Sequence, residues 1–189
     1  MATPVAAARQ VILVEGDSDR AAVEALARRG GRNLAAEGTA VVAMGGATNV
    51  GHFVERLGPR GLGLRLAGMC DAAEERVFTR RLTRAGLDAG TSRSDLERIG
   101  FYVCHRDLED ELIGSLGPDA VVEVIAAEGE LASFQILRQQ PAQRTRTLDQ
   151  QLHRFMGSQS GRKVRYAMLL VEALEHGRVP RPLEQVLAR

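Results

Sequence analysis

The stretch VILVEGDSDRAAVEAL, residues 11–26, decides the fold. Val11, Ile12, Leu13 and Val14 form a short apolar run halted by Gly16, the pattern of a buried strand. Behind it, Ala22, Val23, Leu26 and Ala27 recur at helical spacing up to Gly30 and Gly31, with Ser18 or Asp17 placed to cap the start. A buried strand, a glycine and a helix in that order open a βαβ unit. Glu15 stands at the joint, where the strand ends.

The pattern repeats along the chain. TAVVAMGG reads as a second strand and ATNVGHFVERLGP as a short helix. LGLRLAGMCD is a third strand with Asp71 at its end, and AAEERVFTRRLTRAG a further helix. SDLERIGFYVCHRD contains a fourth strand over roughly residues 100–104. Strands then stop. LEDELIGSL, DAVVEVIAAEG, LASFQILRQ, LDQQLHRFMG and RKVRYAMLLVEALEHG all read as helices, and Pro180 and Pro182 bracket a short tail helix. Alternating strands and helices predict an α/β fold with a parallel four-stranded sheet covered on both faces.

Ligands of such sheets bind at the carboxyl ends of the strands. Glu15 follows the first strand, Asp71 the third, and Asp107 and Glu109 the fourth. Acids gathered at one sheet edge repel one another and call for a cation. Ligands that offer only oxygen favour Mg²⁺ or Mn²⁺. The competing reading makes each of them a first-turn acid of the next helix.

Charge is unevenly distributed, although the net charge of this 189-residue chain is +1. Residues 107–137 contain acids and no Lys or Arg, whereas residues 138–165 are basic with Asp149 as the one acid. That asymmetry suits a polyanionic partner met through metal ions on the acidic side. Solvated helix faces that neutralise one another are the alternative. Hydrophobic content of 44% and charged content of 26% predict a soluble globular chain. No apolar run approaches the roughly 20 residues of a membrane span, and MATPVAAARQ lacks a secretory h-region. Two cysteines without a CxxC pair predict a reduced cytoplasmic protein, and they give no Cys–His zinc spacing.

Lys163 is the only lysine in the chain. It opens a helix whose apolar residues fall at Val164, Ala167, Met168, Val171 and Leu174, with Arg162 before it and Arg165 after. Cations in a first turn oppose the helix dipole at roughly 0.3–1 kcal/mol each. Free N–H groups with cations also make a phosphate site, and Ser158 and Ser160 are candidate caps.

Taken in order, these segments resemble the Toprim domain, shared by topoisomerases, bacterial primases and the overcoming-lysogenization-defect (OLD) nucleases. ILVEGDSDRAAVEAL resembles the first Toprim motif, VVAMGGATNVGHFVERL the second strand-loop-helix of the OLD branch, and LRLAGMCDAAEERVF the D-x-D region. DLEDEL resembles the OLD-type acidic motif, and SGRKVRYAMLL the region of its catalytic lysine. The resemblance implies a Toprim catalytic core over about residues 9–115 and a helical segment, 116–189, that packs on it and carries Lys163. It implies Glu15 as metal ligand and general base, and Asp19, Asp71 and Glu109 as further ligands. Asp107 stands where the family often has a small polar residue, and Lys163 matches the catalytic lysine. One position departs: the second Asp of D-x-D is Ala73, so either one metal position is weakened or Glu74 or Glu75 reaches in from the next turn.

The expected activity is therefore Mg²⁺- or Mn²⁺-dependent cleavage of DNA phosphodiester bonds. Ala73 motivates the alternative of a degenerate module that binds nucleic acid or a partner without cutting. GGATNVG is followed by His52 and Phe53 instead of the Lys-Ser/Thr of a P-loop, so Gly45 and Gly46 are expected to make a tight turn beside the site. Without a P-loop the resemblance is to a standalone Toprim chain, which leaves room for a separate ATPase partner and for a homodimer. Aromatic content of 4% argues against base stacking. Backbone contacts by Arg144, Arg146, Arg154, Arg162 and Arg165 are expected instead, with salt-sensitive and sequence-tolerant binding. His52, His105, His153 and His176 read as surface or packing residues, with His105 singled out because it precedes Asp107 at a strand end. A phosphoacceptor domain also uses strand-end acids, Mg²⁺ and a lysine, but its lysine should follow a core strand rather than open a late helix.

Overall fold

The computed structural model describes residues 5–175 and 177–189; His176 lies outside the described residues. Its centre is a four-stranded sheet of β1 (Gln10–Val14), β2 (Thr39–Ala43), β3 (Arg65–Cys70) and β4 (Phe101–Val103). The order is β2-β1-β3-β4, and every neighbouring pair is parallel. β1 is buried along its whole length because its side chains alternate between two cores. Ile12 and Val14 enter one apolar cluster, and Val11 and Leu13 the other.

The second of these clusters lies under α2 (Val50–Leu57), α3 (Glu75–Arg84) and α4 (Arg93–Arg98), through Val54, Phe78, Leu82 and Leu96. The opposite cluster lies under α1 (Asp17–Arg29), and it runs on without a break into the C-terminal helices. These are α5 (Leu108–Leu116), α6 (Pro118–Ala127), α7 (Leu131–Gln139), α8 (Leu148–Met156), α9 (Arg162–Ala173) and α10 (Arg181–Leu187). Ile12, Ala22, Leu112, Phe155, Val171 and Val186 belong to one buried cluster, so the late helices share a core with the first strand. α10 returns to the sheet, where the Gln10 amide donates to the Arg189 carbonyl at 3.1 Å. No helix among the described residues is long and apolar enough to cross a membrane.

Gly68 shows how tightly β3 fits between its neighbours. A Cβ there would lie 2.5 Å from the Leu13 carbonyl oxygen and 3.0 Å from the Phe101 ring, so only glycine is accommodated.

Local details differ from the sequence expectations. α1 is capped by Gly16, whose N–H donates to the Asp19 carboxylate at 2.8 Å, rather than by Asp17 or Ser18. α9 starts from Gly161 in the left-handed region, at φ 77°, and neither Ser158 nor Ser160 caps it. Ser158 instead donates to the Phe155 carbonyl at 2.7 Å. α4 was not anticipated, although Ser92 and Asp95 form a capping box that announces it. α9 stops at Ala173, where the Arg29 guanidinium takes the Val171 carbonyl at 2.8 Å and the Leu174 carbonyl as well.

Candidate functional site

The fold brings the carboxyl ends of β1 and β3 side by side, and the connections part there: α1, which follows β1, covers one face of the sheet, and α3, which follows β3, the other. This is the switch point at which open α/β sheets bind ligands. Glu15 directly follows β1 and Asp71 directly follows β3. Beside them the loop after β2 turns through Gly45 (φ 69°) and Gly46 (φ 120°), backbone that L side chains rarely adopt. The Gly46 N–H donates to the Glu15 carbonyl at 3.1 Å, so the tight turn expected from GGATNVG does sit against the acid.

Asp19 lies one turn into α1 and is buried. Burial pushes its carboxyl up to about 6 against the lowering effect of the Gly16 N–H, and Glu109 and Glu15 add to the rise. Asp71 is pushed up to about 7, first by burial and then by Glu15, Asp19, Asp107 and Glu109. Glu15 is raised by burial and by Glu74, Glu109 and Asp107, while Lys163 pulls it down. These mutual effects place Glu15, Asp19, Asp71 and Glu109 in one electrostatic neighbourhood.

Lys163 enters this neighbourhood because α9 runs alongside α1 in the same direction. Arg29 clamps the two C-terminal ends together, so the N-terminal ends, with Asp19 and Lys163, lie at the same edge. Lys163 Nζ is 3.1 Å from Glu109 Oε2. Burial alone would lower its pKa, but Glu109, Asp19 and Asp71 outweigh that and raise it, so the ammonium stays charged at neutral pH.

Glu109 is 3% exposed and sits in the first turn of α5. Asp107 caps that helix, accepting from the Asp110 N–H at 2.9 Å. His153 of α8 lies 2.7 Å from the other Asp107 oxygen. Burial opposes ionisation of Asp107, but His153, the Asp110 N–H and Arg106 hold its carboxyl below the usual range, and Asp107 raises His153 in turn. Asp107, Glu109 and His153 each offer an atom within 4.8 Å of the others. The histidine at the site is thus His153; His105 is exposed, and its backbone N–H donates to Glu111 at 2.6 Å. Only the folding of α8 against α5 makes that choice, and no local signal around His153 announces it.

The acids on the β3 side separate into two roles. Glu75 pairs with Arg93 at 2.8 Å and is tied to α4. Glu74 is, after burial, the first influence on Glu15 and faces the cluster.

The arginines also separate. Arg162 is buried, stacks over the Phe155 ring at 4.0 Å and donates to Glu130 at 3.1 Å. Arg165 pairs with the same Glu130 at 2.6 Å. Both therefore hold α9 to the start of α7. Arg144, Arg146 and Arg154 are exposed.

The donor set fits a divalent cation. Glu15 Oε2 and Glu109 Oε1 are buried with no hydrogen-bond partner, and the surrounding acids raise one another. Oxygen donors at a sheet edge, held by backbone on several elements, suit a hard cation.

Comparison with known proteins bears on the fold. Residues 8–72 match the model of the family described as overcoming lysogenization defect protein-like, TOPRIM domain. The C-terminal region of the Xanthomonas campestris pv. campestris OLD protein, in the structure phased with mercury, is 28% identical with a TM-score of 0.70, over 96% of this chain and 93% of that one. The same region phased with platinum gives 28% identity and a TM-score of 0.73, over 96% and 91%. The C-terminal region of the Burkholderia pseudomallei OLD protein shares the fold at 22% identity and a TM-score of 0.71, over 96% of each chain. A search of curated proteins finds no match to this sequence. Residues 8–72 thus match the OLD-like Toprim family model, and the chain as a whole has the fold of the C-terminal region of OLD proteins.

Proposed function

We propose that this chain is a divalent-metal-dependent DNA endonuclease of the OLD type. The observation that carries the reading is the meeting of Lys163 with Glu109 beside Glu15, Asp19 and Asp71, where two buried carboxylate oxygens lack partners. Glu15, Asp19, Asp71, Asp107 and Glu109 would hold Mg²⁺ or Mn²⁺, with Glu74 in reach of the same edge. Such an ion supplies Lewis acidity toward a phosphoryl oxygen and activates water near neutral pH.

The residues of the chain supply the rest. Lys163 keeps its proton and offers a compact fixed cation to the charge that builds on a phosphate in cleavage. Its bond to Glu109 holds the ammonium in place before substrate arrives. Glu15, raised first by burial and then by its acidic neighbours, would accept the proton in the role that the family resemblance gives it. His153 fixes Asp107, and Asp107 fixes the start of α5, so the position of Glu109 depends on both. The buried free thiols of Cys70 and Cys104 are compatible with the reduced cytoplasmic setting expected for such an enzyme.

Ala73 favours a second reading, a module that binds nucleic acid or a partner without cutting. Position 73 offers a methyl group, and Glu75 is occupied by Arg93, so the β3 side depends on Asp71 and Glu74. Plasmid nicking with Mg²⁺ and with Mn²⁺ separates the two. Cleavage that disappears in Glu15→Ala and Lys163→Ala supports the nuclease. Salt-dependent DNA binding by pure protein with no cleavage in either metal supports the binding module.

A further inference from the structure

The chain carries a second set of arginines that the expected DNA contacts do not include. Arg76, Arg80 and Arg84 recur at every fourth position of α3 and so share one face of the helix. All three are exposed, and among the described residues none has a carboxylate within 4.0 Å. They line a groove of about 710 Å³ together with Ala72, Ala73 and Thr83. Ala72 and Ala73 directly follow Asp71, so one end of the groove adjoins that acid along the chain.

Three observations distinguish this row from an ordinary solvated helix face. First, Glu75, the acid in the groove wall, is already neutralised by Arg93 at 2.8 Å, which leaves the positive charge of the row uncompensated. Second, Arg162 and Arg165, which flank Lys163, are paired with Glu130 and Glu128 and so are less available to a polyanion than the unpaired row. Third, Ala73 leaves the mouth of the groove neutral, where a carboxylate would repel a phosphate beside Asp71.

We infer that α3 is the DNA-backbone track of this site, and that Arg76, Arg80 and Arg84 contact phosphates of the strand leading to the acidic cluster. The inference rests on the nuclease reading for what happens at the cluster, and adds to it the path by which DNA arrives. Eight residues of helix span about 12 Å, the axial length of roughly three to four base steps at 3.4 Å each. The contacts carry no sequence information, because they reach phosphate and not base edges.

The test is the salt dependence of DNA binding by the full chain, without divalent metal, read by fluorescence anisotropy on a labelled duplex. Arg76→Ala/Arg80→Ala/Arg84→Ala should flatten the slope of log K against log salt by about 0.9 for each lost contact and weaken binding tenfold or more. Arg144→Ala/Arg146→Ala/Arg154→Ala, at the contacts expected from the sequence, should change slope and affinity less than the α3 variant does. All six positions are exposed, and circular dichroism checks that both variants fold. If the α3 variant binds as wild type, or if only the other triple loses affinity, the inference is overturned while the nuclease reading stands. If α3 governs binding but wild type never cuts, the nuclease reading fails and the track remains. If wild type binds no DNA at all, both fail.

Discussion

Lys163 Nζ lies 3.1 Å from Glu109 Oε2, a contact between the first turns of α9 and α5 that three intervening helices separate along the chain. The pair joins the lone lysine to a carboxylate that is itself 3% exposed and has one oxygen without a partner. In this arrangement the ammonium is a fixed charge of the site, and its replacement has a specific signature.

Lys163→Ala should lower the rate of plasmid nicking by about 10²–10³-fold, the usual cost of removing one donor to a developing oxyanion. Lys163→Arg should recover little of it, since a broad planar fork does not fill the place of a compact ammonium beside Glu109. Full activity in Lys163→Arg, measured at saturating Mn²⁺, would remove the lysine from the mechanism.

Metal-free protein should lose stability as pH rises through neutrality. Asp19 and Asp71 are raised on folding, to about 6 and about 7. The folded state therefore holds protons that the unfolded chain has released, and stability is greatest below the ordinary carboxylate range and declines as pH passes through the folded values. Thermal melts in chelator between pH 5 and 8 should show Tm falling with pH. Asp71→Asn should flatten that fall, and a Tm independent of pH would contradict the proposed crowding of acids.

Divalent cations should reverse the loss. At pH 8, Mn²⁺ should raise Tm, and Glu109→Gln should diminish the rise, because the buried oxygen without a partner is replaced by a neutral amide. Calorimetric titration gives the same comparison without reliance on activity. Equal Mn²⁺ affinity in wild type and Glu109→Gln would place the cation elsewhere.

Arg29→Ala should destabilise the fold by about 2 kcal/mol, the scale of charge-assisted hydrogen bonds to carbonyls at a partly buried helix end. Its guanidinium holds Val171 and Leu174 against α1. Urea unfolding measures the loss. Nicking should fall as well, because the same clamp sets where Lys163 emerges at the far end of α9.

Arg162→Ala should destabilise by roughly 2–3 kcal/mol without changing the salt slope of DNA binding. The loss comes from Glu130, which loses its buried ion pair and keeps only Arg165 and the Tyr166 hydroxyl, and from the Phe155 ring, left without its cation. A change in salt slope with unaltered stability would return Arg162 to the DNA surface.

The sequence by itself determined the parallel sheet and the acids at its edge. A β-branched run closed by glycine fixes a buried strand, and the residue after it must stand at the carboxyl end, so Glu15 and Asp71 were legible from spacing alone. The order of helices after β4 was legible for the same reason, since apolar periodicity is local. Tertiary structure alone decided which side chains meet. His153 reaches Asp107 and His105 does not, because α8 packs on α5. Arg162 turns inward to Glu130, and a row of arginines on α3 stays unpaired, because charge pairing depends on which helices face one another. Lys163 comes to Glu109 because α9 lies along α1 in the same direction, a consequence of a shared core that no window of sequence contains.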